Sequence, residues 1–256
     1  MYRNSTVGSK RYSTSCIIAF LMVIFISSCS KEIQHISSIH PEYYRIDKRQ
    51  PADAEEISTL IAPYKEKLDA TMNQVIGSVE KTMNKSKPNS PLNNWMADVL
   101  LSQARKNAGN VDFALQNYGG IRIPSLAKGD VTVGKIYELM PFDNMLVVLT
   151  ADGTVVKQLM DRIADYGGWP VSNGTSFSIE YGKAVDIVIN GEPFDINSKY
   201  TFALPDYIAN GGDGSNFLSV AERIDLSLLV RDAIIQEIKD ENGKISYNDE
   251  IRIKTQ

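Results

Sequence analysis

Apolar residues at Ile57, Leu60, Ile61, Tyr64, Leu68 and Met72 recur at steps of three and four, the period of one helix face. The spacing predicts an amphipathic helix. Pro63 is its weak point, because proline lacks an N–H and crowds the preceding turn. The next segment, NQVIGSVEKTM, alternates around Val75, Gly77 and Val79 and reads as a strand or as more helix. SKPNSPLNNWMADVLLSQARK is clearer. Ser90 can cap a first turn, Pro91 suits the first helical position, and Leu92, Trp95, Met96, Val99 and Leu100 share one face.

VDFALQN predicts a strand, VTVGKIYELMPF a short helix ending before Pro141, and NMLVVLT another strand. DGTVVKQLMDRIADYGG predicts a helix with Asp152 at its start and a glycine stop. SFSIEY, AVDIVI and KYTFALP predict three further strands. Asn190-Gly191, between the last two, is a hairpin signal in a loop longer than two residues. SLLVRDAIIQEIKDENG predicts a last helix stopped by Gly243, and EIRIKT a closing strand. Helices and strands interleave, hairpins gather in the second half, and no repeat is visible. The pattern predicts an α+β fold with a mixed sheet and flanking helices.

The first residues read differently. Arg3, Lys10 and Arg11 precede the apolar run CIIAFLMVIFI, which is shorter than the roughly 20 residues that a spanning helix needs. A basic segment before a short apolar one predicts a secretory leader over residues 1–28. ISSC then resembles the lipobox at which bacterial lipoprotein precursors are cut, which implies acylation of Cys29. The plainer alternative is an ordinary leader with an incidental cysteine. Residues 29–56 are polar without sustained period and predict a tether; residues 57–256 predict one domain with a full core. The expected location is outside the cytoplasm, on a membrane held through the lipid.

Charge and cysteine content narrow the chemistry. The formal charge of −4 becomes −7 once the leader's three cations are removed, which gives no footprint for a nucleic-acid polymer. Past Cys29 there is no further thiol, so no disulfide, cysteine nucleophile or thiolate metal site is available. The two histidines, His35 and His40, both lie in the tether. Metallophosphatase, zinc and Ser-His-Asp sites need histidine in the folded core. Neither GxxxxGK[ST] nor GxGxxG occurs. Asp98 and Asp112 read as surface or helix-end acids rather than a catalytic pair, and NGGDG lacks the acid spacing of a calcium loop.

Four loops carry the remaining specification. NYGGIR offers Asn117, Gly119, Gly120 and Arg122. Glycines let backbone N–H groups approach an anion, and a guanidinium presents a fixed fork of donors. By itself the loop reads as a tight turn with a solvated arginine. PFDN puts Phe142 and Asn144 at a helix-to-strand corner, where a phenylalanine alone reads as core. NGTSF puts Gly174 at a strand start. PDYIANGGDG sets Tyr207 six residues before Asp213, a stacking face and an acceptor that together suit a nucleoside.

In this order the motifs resemble one family, the C-terminal, substrate-binding domain of 5'-nucleotidases. NNWMADVLL stands where that family has its GNLxADA helix, followed by NYGGIR, PFDN, the glycine of NGTSF, and YIANGGDG. The resemblance covers roughly residues 60–254. It implies that Asn117 and Arg122 bind a substrate phosphate, in the loop whose Gly119 and Gly120 let backbone N–H groups approach an anion. It also implies that Phe142 and Tyr207 sandwich the base, that Asp213 accepts from ribose hydroxyls, and that Asn144 and Gly174 contact the base edge. Two departures matter. An additional family arginine before the GNLxADA helix is replaced by a segment with Lys85 and Lys87, and lysine is a point charge rather than a fork. The family's metallophosphatase domain, which holds two divalent metals, has no counterpart in these residues, so the expectation is no cofactor in this chain. The resemblance therefore leaves open the nucleotide-binding half of a split hydrolase with a separate metallophosphatase chain, a lipid-anchored nucleoside or nucleotide-binding module without chemistry, and a relict interaction surface.

Overall fold

Alternation along one strand organises the molecule. In the computed structural model, which describes residues 55–255, the strand Met145–Asp152 (β6) lies inside a four-stranded sheet and is buried on both faces. Its Leu146 and Val148 face one apolar cluster, and Val147, Leu149 and Ala151 face another. This follows from the two-residue period of a strand.

In chain order the elements are α1 (Glu55–Met72), β1 (Val75–Val79), β2 (Met83–Asn84), α2 (Pro91–Ala108), β3 (Phe113–Ala114), β4 (Ser125–Leu126), β5 (Gly129–Thr132), α3 (Val133–Leu139) and β6. There follow α4 (Gly153–Asp165), β7 (Ser176–Glu180), β8 (Lys183–Ile189), β9 (Glu192–Pro193), β10 (Lys199–Pro205), α5 (Asp206–Ala209), β11 (Glu222–Leu229), α6 (Val230–Asp240), β12 (Lys244–Ile245) and β13 (Ile253–Thr255). The central sheet runs β11-β6-β10-β3, with β10 antiparallel to β6 and parallel to β3. Residues of α2, α3 and α6 fill the core on one face; α4 and the second sheet, β13-β7-β8-β9, fill the other. Ala54–Gln256 forms one compact unit. The fold is α+β with mixed sheets and flanking helices. The leader, Cys29 and nearly all of the tether fall outside the described residues, and no helix among those described is long and apolar enough to cross a membrane.

The strongest local readings correspond to elements. Ser90 has extended backbone, and its Oγ accepts from Asn93 N at 3.2 Å, so α2 starts at Pro91 with its cap in place. The helix then buries Leu92, Trp95, Met96, Val99 and Leu100. Helix α1 passes through Pro63 without ending. Its apolar stripe does not face the domain: Leu60, Ile61, Tyr64 and Leu68 are exposed.

Several readings are corrected. Asp98 is neither a helix end nor a lone surface acid; it lies within α2 and takes Arg252 Nη1 and Nη2 at 2.8 and 2.9 Å. Arg252, 2% exposed, also donates to the Val171 carbonyl at 2.8 Å. A buried guanidinium needs such satisfaction. The last helix begins at Val230, not at Ser227. Ser227 adopts φ 53° in a bulge of strand β11, whose ladder to β6 shifts register between Asp225 and Leu228. Asn190-Gly191 is a two-residue hairpin joining β8 to the short β9, with Ile189 opposite Glu192, not part of one long loop to β10. Both residues have positive φ, 54° and 82°, as a tight hairpin of this twist requires. The strand predicted over VDFALQN is shorter, with Leu115 continuing only as a bridge to Val171.

Candidate functional site

Sheet topology brings the predicted loops together. Ala203 in β10 pairs with Ala114 in β3, and Pro205 pairs with Leu146 in β6. The chain after β3, the chain before β6 and the chain after β10 therefore leave one end of the sheet. NYGGIR, PFDN and YIANGGDG are those three segments. They enclose a cavity of about 410 Å³ lined by Asn117, Gly119, Gly120, Arg122, Phe142, Asn144, Tyr207 and Asp213.

Gly174, the ninth predicted site residue, is not among these lining residues. Its carbonyl accepts from Gly191 N at 2.8 Å, so it braces the β8–β9 hairpin. A glycine before a strand is an equally good turn residue, and the motif alone does not separate the two uses.

The first loop is set by backbone and by a neighbour. Residues Tyr118–Gly120 form one 3₁₀ turn, with Gly120 N donating to the Asn117 carbonyl at 3.0 Å. A Cβ at Gly120 would stand 2.0 Å from Gln116 Nε2 and 2.8 Å from Asn117 Oδ1, so both side-chain ends would have to move. Gln116, fully buried, donates from Nε2 to Asn117 Oδ1 at 2.9 Å. That contact makes Oδ1 the acceptor and turns Asn117 Nδ2 toward Asp213 Oδ2, also at 2.9 Å. Gln116 was not among the predicted residues. A glutamine beside an asparagine carries no motif, and only its burial shows the role.

The other wall is built around Asp213. Its backbone has φ 50°, in the left-handed region that Asp tolerates better than most residues. The Tyr207 hydroxyl donates to Asp213 Oδ1 at 3.1 Å, and this hydrogen bond, with a lesser contribution from burial, raises the Tyr207 pKa above the ordinary phenol value. The ring lies against Gly212, where a Cβ would meet Tyr207 carbons at 2.6 Å. Phe142 is 40% exposed and Tyr207 44%. Exposed rings lining one cavity offer π-faces to a planar ligand.

Cations collect at the remaining side. Arg122 Nη1 donates to the Gly119 carbonyl at 3.3 Å, and its guanidinium lies 5.5 Å from the Phe142 ring centroid. Lys85 donates to the Ile121 carbonyl at 2.6 Å and sits 4.0 Å over the Tyr118 ring. Burial first, then the charges of Arg122 and Lys87, lower the Lys85 pKa. An anion beside these cations would offset their mutual repulsion. Lys87 is 4.9 Å from the same tyrosine ring. No group of three or more His, Cys, Asp or Glu among the described residues is arranged to hold a metal ion.

A family model for the 5'-nucleotidase C-terminal domain matches residues 71–222, and the chain belongs to this family. Protein UshA of Escherichia coli K12 is 28% identical over 167 residues, covering 64% of this chain and 30% of that protein. The trifunctional nucleotide phosphoesterase protein YfkN of Bacillus subtilis is 27% identical over 212 residues, covering 75% of this chain and 14% of that protein. The crystal structure of the 5'-nucleotidase precursor from Thermus thermophilus is similar with a TM-score of 0.67 at 28% identity, over 77% of this chain and 42% of that one. The chain thus spans less than a third of either of these two curated relatives.

Proposed function

We propose that this domain binds a nucleotide in the cavity of Phe142, Tyr207 and Asp213 and presents its phosphate to a metallophosphatase carried on a separate chain. The base would lie between the two rings, the ribose hydroxyls on Asp213, and the phosphate toward Asn117, Arg122 and the backbone of Gly119 and Gly120. Asn144 would meet the base edge. Gly174 would act only through the hairpin it braces. One observation carries the reading: three loops distant in sequence place stacking faces, a carboxylate and a guanidinium around one cavity. The names of the relatives, nucleotidases and nucleotide phosphoesterases, support the substrate class. The two divalent metals would belong to the partner. The partner would supply the hydrolytic water, and this chain the orientation of the substrate. Export and a lipid on Cys29 are part of the same proposal; loss of labelled fatty-acid incorporation in Cys29→Ala tests them.

Among the described residues Arg122 is the single guanidinium lining the cavity, which favours a second reading, a nucleoside or nucleotide-binding module without chemistry. Calorimetry with AMP and with adenosine separates the two. The split-hydrolase reading expects AMP to bind more tightly, and Arg122→Ala to weaken AMP while sparing adenosine. Equal affinities would favour the module. Equal losses with both ligands would overturn the phosphate role of Arg122.

A further inference from the structure

We infer that Arg231 is a positioning residue for the ring of Phe142, an inference that rests on the nucleotide reading above. Phe142 lines the cavity from the corner before β6; it is 40% exposed, and the Arg122 guanidinium lies 5.5 Å from its ring, so packing restrains the ring only in part. The backbone of the corner sets the direction from which the ring projects. Helix α6 restrains that backbone. Val230 N donates to the Asn144 carbonyl at 2.9 Å. The next residue, Arg231, reaches the Phe142 carbonyl from Nη1 at 3.4 Å and Asp143 Oδ1 from Nη2 at 2.9 Å. Its guanidinium also lies 4.2 Å from the Tyr137 ring centroid, so one planar group joins α3, the corner and α6.

The energetics argue against a role in stability alone. Arg231 is 7% exposed and its Nε has no partner, an arrangement that costs desolvation. Its ionic partner Asp143 has a side chain that is 82% exposed, so the pair returns little. What the arginine does provide is geometry: a fork for two acceptors and a flat face for a ring. Lysine has neither.

The test uses Arg231→Met and Arg231→Lys in the full chain, with adenosine, AMP and ribose 5-phosphate as probes. Removing Arg231 leaves no buried carboxylate behind, and thermal melts check that each variant folds. Expected is a roughly fivefold loss for adenosine and AMP in both variants, part of what the ring itself contributes. Ribose 5-phosphate, which has no base to stack, should bind as it does to wild type. In a Phe142→Ala background, Arg231→Met should cost nothing further for adenosine. Unchanged adenosine binding, an equal loss of ribose 5-phosphate, or full additivity with Phe142→Ala would each overturn the positioning role. If Arg231→Met does not fold, Arg231→Lys carries the same comparison. Failure of wild type to bind any of the three overturns the nucleotide reading instead. The aromatic NMR signals of Phe142 then still report, without ligand, whether Arg231 orders the ring; unchanged signals overturn the role there too.

Discussion

Asn117 Nδ2 donates to Asp213 Oδ2 at 2.9 Å, a hydrogen bond between residues 96 positions apart. It joins the NYGGIR loop to the NGGDG loop. Asp213 is thereby held from two sides, with the Tyr207 hydroxyl on its other oxygen. A carboxylate fixed in this way keeps free lone pairs toward the cavity and loses no entropy to ordering when a ligand arrives. Changing Asn117 to Asp would set two carboxylates against each other. Near-contact like charges cannot both ionise freely, so one would hold its proton to higher pH. Asn117→Asp should therefore lose more than about tenfold in AMP affinity at pH 8 and recover part of it toward pH 5. Calorimetry at the two pH values checks this; a loss independent of pH would count against the contact.

The rings should contribute as stacking faces, not through the hydroxyl. Phe142→Ala and Tyr207→Ala should each cost about 1–3 kcal/mol in adenosine binding. Tyr207→Phe keeps the face and loses only the bond to Asp213, so its cost should be near 1 kcal/mol. An adenosine titration of the three variants orders them. Tyr207→Phe as damaging as Tyr207→Ala would show that the hydroxyl, not the face, matters.

Gly120 should be intolerant of even one carbon. The added methyl meets Gln116 Nε2 and Asn117 Oδ1, which are themselves joined, so neither can retreat alone. Overpacking of this kind costs about 1–3 kcal/mol, or about 2–4 °C of melting temperature per kcal/mol in a domain of this size. Gly120→Ala should show that loss together with loss of AMP binding. Gly119→Ala is the control, because its nearest neighbour would be 3.8 Å away. A thermal melt and an AMP titration of both variants give the comparison.

Lys85, beside Arg122, should give AMP binding an alkaline limit. Its folded-state pKa is lowered, so between that value and the ordinary lysine value the unfolded chain holds more protons than the folded one. Its charge therefore opposes folding at neutral pH, and that penalty fades as pH rises through this window. AMP binding should move the opposite way. As Lys85 loses its proton, the attraction for phosphate falls, and AMP affinity should decline below the pH at which an ordinary lysine titrates. Lys85→Met should flatten this decline while adenosine affinity stays level. A decline that persists unchanged in Lys85→Met would remove Lys85 from the phosphate end.

Much of the architecture is local and so was legible in the chain. The cap at Ser90, the apolar face of α2 and the continuous apolar run of β6 are decided by neighbours a few residues away. The motif loops are legible for the same reason, since glycines and turn residues carry their backbone demands with them. Tertiary structure decided what those loops became. NYGGIR, PFDN and YIANGGDG converge because β3, β6 and β10 are adjacent in one sheet, a pairing that no local pattern encodes. Gly174, whose motif stands in the family order, accepts from Gly191 N in the β8–β9 hairpin. Burial made Gln116 the orienter of Asn117, and tied Asp98 to Arg252 across 154 positions. A bulge at Ser227 moved the start of the last helix to Val230, placing Arg231 beneath Phe142. Periodicity reports which face of an element is apolar. Which side chains meet across that face depends on the packed sheet, where an unpaired polar group costs more than any local preference returns.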